Sequence, residues 1–303
     1  MGKRYKSAFT VDVEDGISIA MRDAFSVKTD QTERVVSLTS TILELLSQNN
    51  TKGTFFVLGQ VAEKFPVLIK QIAQEGHELG VHGYNHLQFF RMTREEAFEE
   101  ISSAKKLIED ISGQEVFGHR APAFSITPKT QWGLDVIAEA GFSYDSSIMP
   151  IKGNRYGWPG FPTDICSVKT RGGYRIIEVP MSTFSFFGKQ IPVGGGGYLR
   201  LFPKWITRKA LKQVTKKRPA ILYIHPYDLD TVRYPQYYFD ELKNASFLRR
   251  NKMKSMWINR SSVYSKLSYL LDCYQFDTLQ NILRDKNMRE FKNDIRAKDS
   301  VPS

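Results

Sequence analysis

The chain has only five histidines, and two of them form His82-Gly-Tyr-Asn-His86. If that segment turns helically, an i, i+4 pair faces both imidazoles the same way, where they can grip one metal ion. A hydrolytic centre of this kind wants two histidines, one carboxylate and an open position. Asp12-Val-Glu-Asp15 supplies carboxylates in excess of one ligand, so that one can coordinate and another can take a proton from water. Taken alone, HxxxH is more commonly two polar loop residues, and acids after a strand more commonly cap a helix. Side by side they favour a metal centre with a free base.

Three further residues fit that chemistry. Arg120, in Gly118-His-Arg-Ala-Pro122, puts a guanidinium after a strand, where it can pair with the free aspartate, orient it and lower its pKa; the plainer reading is a surface salt bridge. Asp145 can anchor a histidine in its working tautomer, or simply form a turn before Ser146-Ser147. His225 ends the apolar run Leu222-Tyr-Ile and suits a general acid that protonates a leaving amine, although a lone histidine is usually structural. His77 reads as a packing residue, and His119 as pointing away from the site, since strand neighbours alternate faces.

These side chains need rigid elements at their backs, and the chain alternates strand and helix signals. Strand-like runs at Ala8–Val13, Gly53–Leu58, Glu78–Val81, Val116–Arg120, Ser143–Asp145, Tyr174–Val179 and Ala220–Ile224 are interleaved with helical ones at Glu33–Gln48, Ala62–Glu75, Thr93–Ser112 and Pro128–Ala140. Such alternation implies parallel β/α units, open or closed into a barrel. The reactive residues fall at strand ends, where such folds gather their chemistry. Beyond about residue 150 the pattern loosens: a Gly/Pro/aromatic loop at 152–162, Gly194-Gly-Gly-Gly-Tyr198, a basic helix at Lys204–Lys217 and a helix–strand–helix tail from Ser261 to about Arg284. With no repeat and no low-complexity linker, residues 1–284 read as one domain with a C-terminal elaboration, and 285–303 as a charged, frayed tail.

The bulk numbers agree with a soluble globular enzyme: 303 residues, 41% hydrophobic and 25% charged. No run is long enough to span a bilayer, and the basic start lacks the apolar stretch of a signal peptide, so the cytoplasm is the expected compartment. Cys166 and Cys273 have no paired spacing and read as small hydrophobes. A formal charge of +11 implies attraction to something anionic. The basic stretches Lys204–Arg218 and Arg249–Lys254, interleaved with Trp205 and Trp257, would suit peripheral contact with an anionic membrane surface. No nucleic-acid module is recognised, so nucleic acid is not an expected partner.

The ordered set Thr10-Val-Asp12…Asp15, His82-x-x-x-His86, Arg120-x-Pro122, Asp145 and Leu222-x-Ile-His225 resembles the five motifs of the NodB-type polysaccharide deacetylases. Gly194-Gly-Gly-Gly-Tyr198-Leu-Arg200 and Tyr223-Ile-His-Pro-Tyr-Asp-Leu-Asp230 are similar to an exopolysaccharide and surface-glycan biosynthesis branch. The resemblance spans about residues 8 to 284. It implies a distorted (β/α) barrel of about seven parallel strands and a divalent metal, usually zinc. It also implies Asp12 as general base, an aspartate with His82 and His86 as ligands, Arg120 orienting Asp12, and His225 as general acid assisted by Asp145. The family's adjacent Asp-Asp is here spread over Asp12-Val-Glu-Asp15. Strand alternation favours Glu14; a strand that has ended by Val13 frees Asp15 to turn inward. The expected ligand is Asp15.

The function so implied is N-deacetylation of an amino sugar in a polysaccharide or lipid-linked glycan precursor. The alternatives are an allantoinase-like amidohydrolase acting on a cyclic amide or ureide, and a catalytically silent glycan- or membrane-binding subunit.

Overall fold

A computed structural model describes residues 5–153, 156–285 and 295–296. Its strands are β1 (Ser7–Val13), β2 (Thr54–Val57), β3 (Glu78–Val81), β4 (Gly118–His119), β5 (Tyr144–Asp145), β6 (Cys166–Lys169), β7 (Arg175–Glu178), β8 (Thr183–Phe186), β9 (Lys189–Pro192), β10 (Ile221–Ile224), β11 (Phe276–Asp277) and β12 (Ile295–Arg296). Seven of them run parallel in the order β10-β1-β2-β3-β4-β5-β7. This is the strand set expected from the sequence, in a curled sheet. Beyond β7 the sheet continues through antiparallel β6 to β12, and among the described residues no pairing closes it back onto β10. Most of the expected tail 285–303 lies outside the described residues.

Period-two alternation divides the core. From β1, Phe9, Val11 and Val13 face the helices, while Ala8 joins Phe56, Tyr144, Ile221 and Tyr223 inside the curl. The helix Leu279–Asp285 plugs the floor of that interior with Leu279, Ile282 and Leu283. There the Glu78 carboxylate accepts from Tyr144 Oη (2.7 Å), Thr54 Oγ1 (2.6 Å) and the Gln280 amide (3.0 Å). Burial raises its pKa despite those bonds.

The helices follow their end signals. Thr93 and Glu96 form a reciprocal capping box for Arg94–Ser112, and Gly113 ends it in the left-handed conformation. The run expected as one helix over 62–75 is two, Gly59–Lys64 and Pro66–Gln74, because Pro66 cannot continue the first and instead starts the second. Three pieces lack a clear sequence signal: the helix Gly16–Phe25, the hairpin β8–β9, and the pair Gln236–Asn244 and Phe247–Ser255. No helix among the described residues is long and apolar enough to cross a membrane.

Candidate metal centre and its flanking acid–base pair

Asp12 is the sixth residue of β1 and faces the interior; the same alternation, carried one residue past the strand, turns Glu14 to that side. Glu14 Oε2 lies 2.8 Å from His86 Nε2 and 3.8 Å from His82 Nε2. Ligand atoms of these three residues all lie within 4.8 Å of one another, and all three side chains are buried. Asp15 is elsewhere, which corrects the ligand expected from the sequence. Its Oδ1 caps the helix Gly16–Phe25 by accepting from the Ile17 (2.7 Å) and Ser18 (2.9 Å) amides, and its Oδ2 takes the Thr32 amide and hydroxyl. A carboxylate saturated by four donors has little left for a cation.

The His82–His86 segment is not helical. Gly83 (φ +77°) and His86 (φ +58°) adopt left-handed backbone, and the Glu100 carboxylate holds the Tyr84 and Asn85 amides of the bend. That bend brings the rings to 5.2 Å centroid separation. His82 Nδ1 meets the Arg120 carbonyl at 2.8 Å, so it donates there and leaves Nε2 with a lone pair. Burial pulls the His82 pKa down to about 4, which keeps the ring in its neutral, ligating form.

A divalent cation fits this set. Burial works against the Glu14 carboxylate, but His86, His225 and His82 outweigh it and hold its pKa well below the usual range. Its Oε2 still lacks a well-aligned hydrogen bond. Tetrahedral ligands at zinc-like bond lengths sit about 3.4 Å apart, between the two separations measured from Glu14 Oε2. His86 Nδ1 accepts from Arg22 Nη2 at 2.7 Å, which puts that ring's proton on Nε2, facing Glu14. Loading a cation there must release it.

Arg120 is fully buried and spends its fork as the sequence implies: Nη1 donates to Asp12 Oδ1 (2.6 Å) and Thr10 Oγ1 (2.9 Å), Nη2 to Ser146 Oγ (3.1 Å) and Nε to the Ser146 carbonyl (3.1 Å). Asp12 Oδ2 is left toward the cleft, 3.8 Å from His225 Nε2. That cleft, about 350 Å³, is lined by Asp12, Glu14, His82, His86 and His225, with Tyr156, Tyr223, Tyr227, Met253 and Met256 among its walls.

The partner of His225 is Asp228, which corrects the role expected for Asp145. Asp228 Oδ2 accepts from the His225 amide at 3.0 Å and meets its Nδ1 at 2.9 Å; Arg200 Nε lies 3.4 Å from the other oxygen. Strand register places Asp145 opposite His119, on the face turned from Asp12. Asp145 does anchor a histidine, but that one: Oδ1 meets His119 Nδ1 at 2.8 Å, among Phe89 and Phe142. His119 thus points away from the site, and His77 packs on Phe55 and accepts the Gly53 amide, both as expected. The overlooked signal for Asp228 is local: Pro226 after His225 forces a turn whose third residue faces back to the histidine.

Burial opposes protonation of His225, but Asp228, Glu14 and Asp12 outweigh it and raise its pKa to about 9. In metal-free protein, Asp228→Asn is therefore expected to move the His225 titration, followed by NMR, clearly downward; an unmoved midpoint would remove Asp228 from this role. The same shift makes His225 stabilise the fold fully below its ordinary value of 6.5, with the contribution lost as pH rises through about 9. A bound cation opposes the charged ring and lowers that upper bound.

Residues 27–144 match the family described as polysaccharide deacetylase, and residues 146–284 match one described as a domain of unknown function. A peptidoglycan-N-acetylglucosamine deacetylase of Bacillus cereus is 31% identical over 151 residues, covering 46% of this chain and 54% of its own length. A chitooligosaccharide deacetylase of Azorhizobium caulinodans is 34% identical over 87 residues, covering 28% of this chain and 41% of its own. The chain thus spans about half or less of these relatives. A Mycobacterium smegmatis crystal structure bearing the name polysaccharide deacetylase superposes with a TM-score of 0.62 at 18% identity, covering 98% of this chain and 95% of that one, a likeness of fold.

Proposed function

We propose that the chain, whose residues 27–144 match the polysaccharide deacetylase family, is a metal-dependent hydrolase removing the N-acetyl group from an amino sugar of a polysaccharide or lipid-linked glycan precursor. What supports this reading is one juxtaposition: an Arg120-held carboxylate that is not part of the Glu14–His82–His86 set, facing a protonated histidine across the cleft.

A divalent cation held by Glu14, His82 and His86, with zinc the proposed native ion, would polarise the acetamide carbonyl and the attacking water. Asp12 Oδ2 takes the proton from that water as its oxygen adds to the carbonyl carbon. The guanidinium on Oδ1 keeps the carboxylate aimed. His225 Nε2 then gives its proton to the amide nitrogen as the C–N bond breaks, so a neutral amine leaves with acetic acid, which gives up the remaining water proton to solvent to become acetate. Asp228 holds the ring by Nδ1 and amide together, fixing which nitrogen faces the nitrogen that leaves.

Metal analysis tests the ligand set. Glu14→Gln and His82→Ala are expected to lose the cation, whereas Asp15→Asn, which keeps a good helix cap, retains it. Full metal content in Glu14→Gln with loss in Asp15→Asn would reverse the assignment. Amine release from N-acetylated sugar oligomers against release from small ureides decides the substrate class. Turnover of the ureides alone would replace deacetylation by an allantoinase-like reaction on the same centre.

A further inference from the structure

Charge is distributed along this chain with an asymmetry that the hydrolytic centre does not use. Between Glu178 and Asp228 there are nine lysines and arginines and no acid, and between Glu241 and Asp272 seven and no acid. These stretches hold sixteen positive charges, so the formal +11 of the whole chain leaves −5 for everything else.

The fold joins the two stretches. Arg200 Nη1 donates to the Met256 carbonyl, and Asn259 Nδ2 to the Arg200 carbonyl at 3.3 Å. Lys266 Nζ bonds the carbonyls of Leu199 (2.9 Å) and Arg200 (2.8 Å), and Arg208 Nη1 reaches Tyr269 Oη at 3.2 Å. Four of the sixteen, Arg200, Arg218, Arg260 and Lys266, are consumed inside. Others, among them Lys204, Arg208, Lys209, Arg249 and Lys254, are exposed.

Large apolar side chains stand out among them: Leu201 is 58% exposed, Trp205 65%, Phe247 74%, Leu248 81% and Ile258 45%. A merely solvated basic face has no use for these groups, and a surface that stacks the bases of a polyanionic chain uses aromatic rings rather than protruding aliphatic groups such as Leu201, Leu248 and Ile258. Cations interleaved with protruding aliphatic and aromatic groups match a surface that is anionic outside and hydrocarbon just beneath. The second stretch borders the cleft, since Met253 and Met256, from the helix that begins with Phe247 and the turn after it, line its wall.

We propose that this face seats the molecule on an anionic phospholipid bilayer, with the side chains of Phe247, Leu248, Trp205 and Leu201 entering the headgroup–acyl boundary and the cleft opening beside the membrane. The proposal does not depend on the hydrolase reading, because its readout is binding. The full chain is mixed with vesicles of phosphatidylcholine alone or with phosphatidylglycerol, and sedimented. It is expected to pellet with the anionic vesicles only and to be released by high salt. Arg249→Ala/Lys254→Ala should weaken binding roughly tenfold or more. Phe247→Ser/Leu248→Ser should weaken it comparably while leaving the charge, and the circular dichroism spectrum, unchanged. Failure to pellet with anionic vesicles overturns the proposal. So does binding that Phe247→Ser/Leu248→Ser leaves intact, which would reassign the face to soluble polyanions.

Discussion

Asp12→Asn is expected to cut kcat/KM by roughly 10²- to 10⁴-fold, the range that a positioned proton acceptor supplies, while metal content stays at the wild-type level. The expectation rests on the division of labour at the end of β1. Glu14 faces the two imidazoles, whereas Asp12 gives one oxygen to Arg120 and turns the other to the cleft. Asparagine keeps the shape and an acceptor for Arg120 but cannot take a proton at neutral pH. Elemental analysis beside steady-state kinetics separates base from ligand: loss of the cation in Asp12→Asn would make Asp12 a ligand and remove the base from the scheme. Normal turnover would end the mechanism altogether.

How much of this was legible in the residues depends on which rule governed each position. The strand set could be read because buried parallel strands are short apolar runs between helical periods. Arg120 and Asp12 were legible as a pair because both stand at strand ends and are opposite in charge. Glu14 and Asp15 were separable only by deciding where the strand's alternation stops. It persists one residue beyond Val13, and Asp15 is claimed by the helix Gly16–Phe25, which has no strong sequence signal of its own. Asp145 was misassigned because its face is set by pairing with β4, a tertiary fact. The His82 and His86 rings do come together, but not by the helical turn that their spacing suggested: two left-handed residues, Gly83 and His86, bring them there.

Arg120→Met is expected to be among the most damaging single changes to stability, at about 3–5 kcal/mol, the usual cost of removing one partner from a buried ion pair. That is a large part of the roughly 5–15 kcal/mol holding a typical fold. The reason is solvation. Asp12 is 2% exposed, Arg120 is fully buried, and losing the guanidinium also strips donors from Thr10 Oγ1 and from the carbonyl and hydroxyl oxygens of Ser146. Arg120→Lys restores charge but not the planar fork, so it should recover only part of the loss. The decisive variant is Asp12→Asn/Arg120→Met, in which the stranded charge is gone. If the pair is ionic, the double variant should be more stable than the two single losses added together, by about 0.5–3 kcal/mol in urea denaturation. Strict additivity would mean that Arg120 acts on the fold through Ser146 and Thr10 alone, and that the carboxylate at the head of the cleft is not held by it. The bond from His82 Nδ1 goes to the backbone carbonyl of Arg120, so the folded fraction of Arg120→Met should still bind its cation. Stability and metal content would then report two separate duties of one residue.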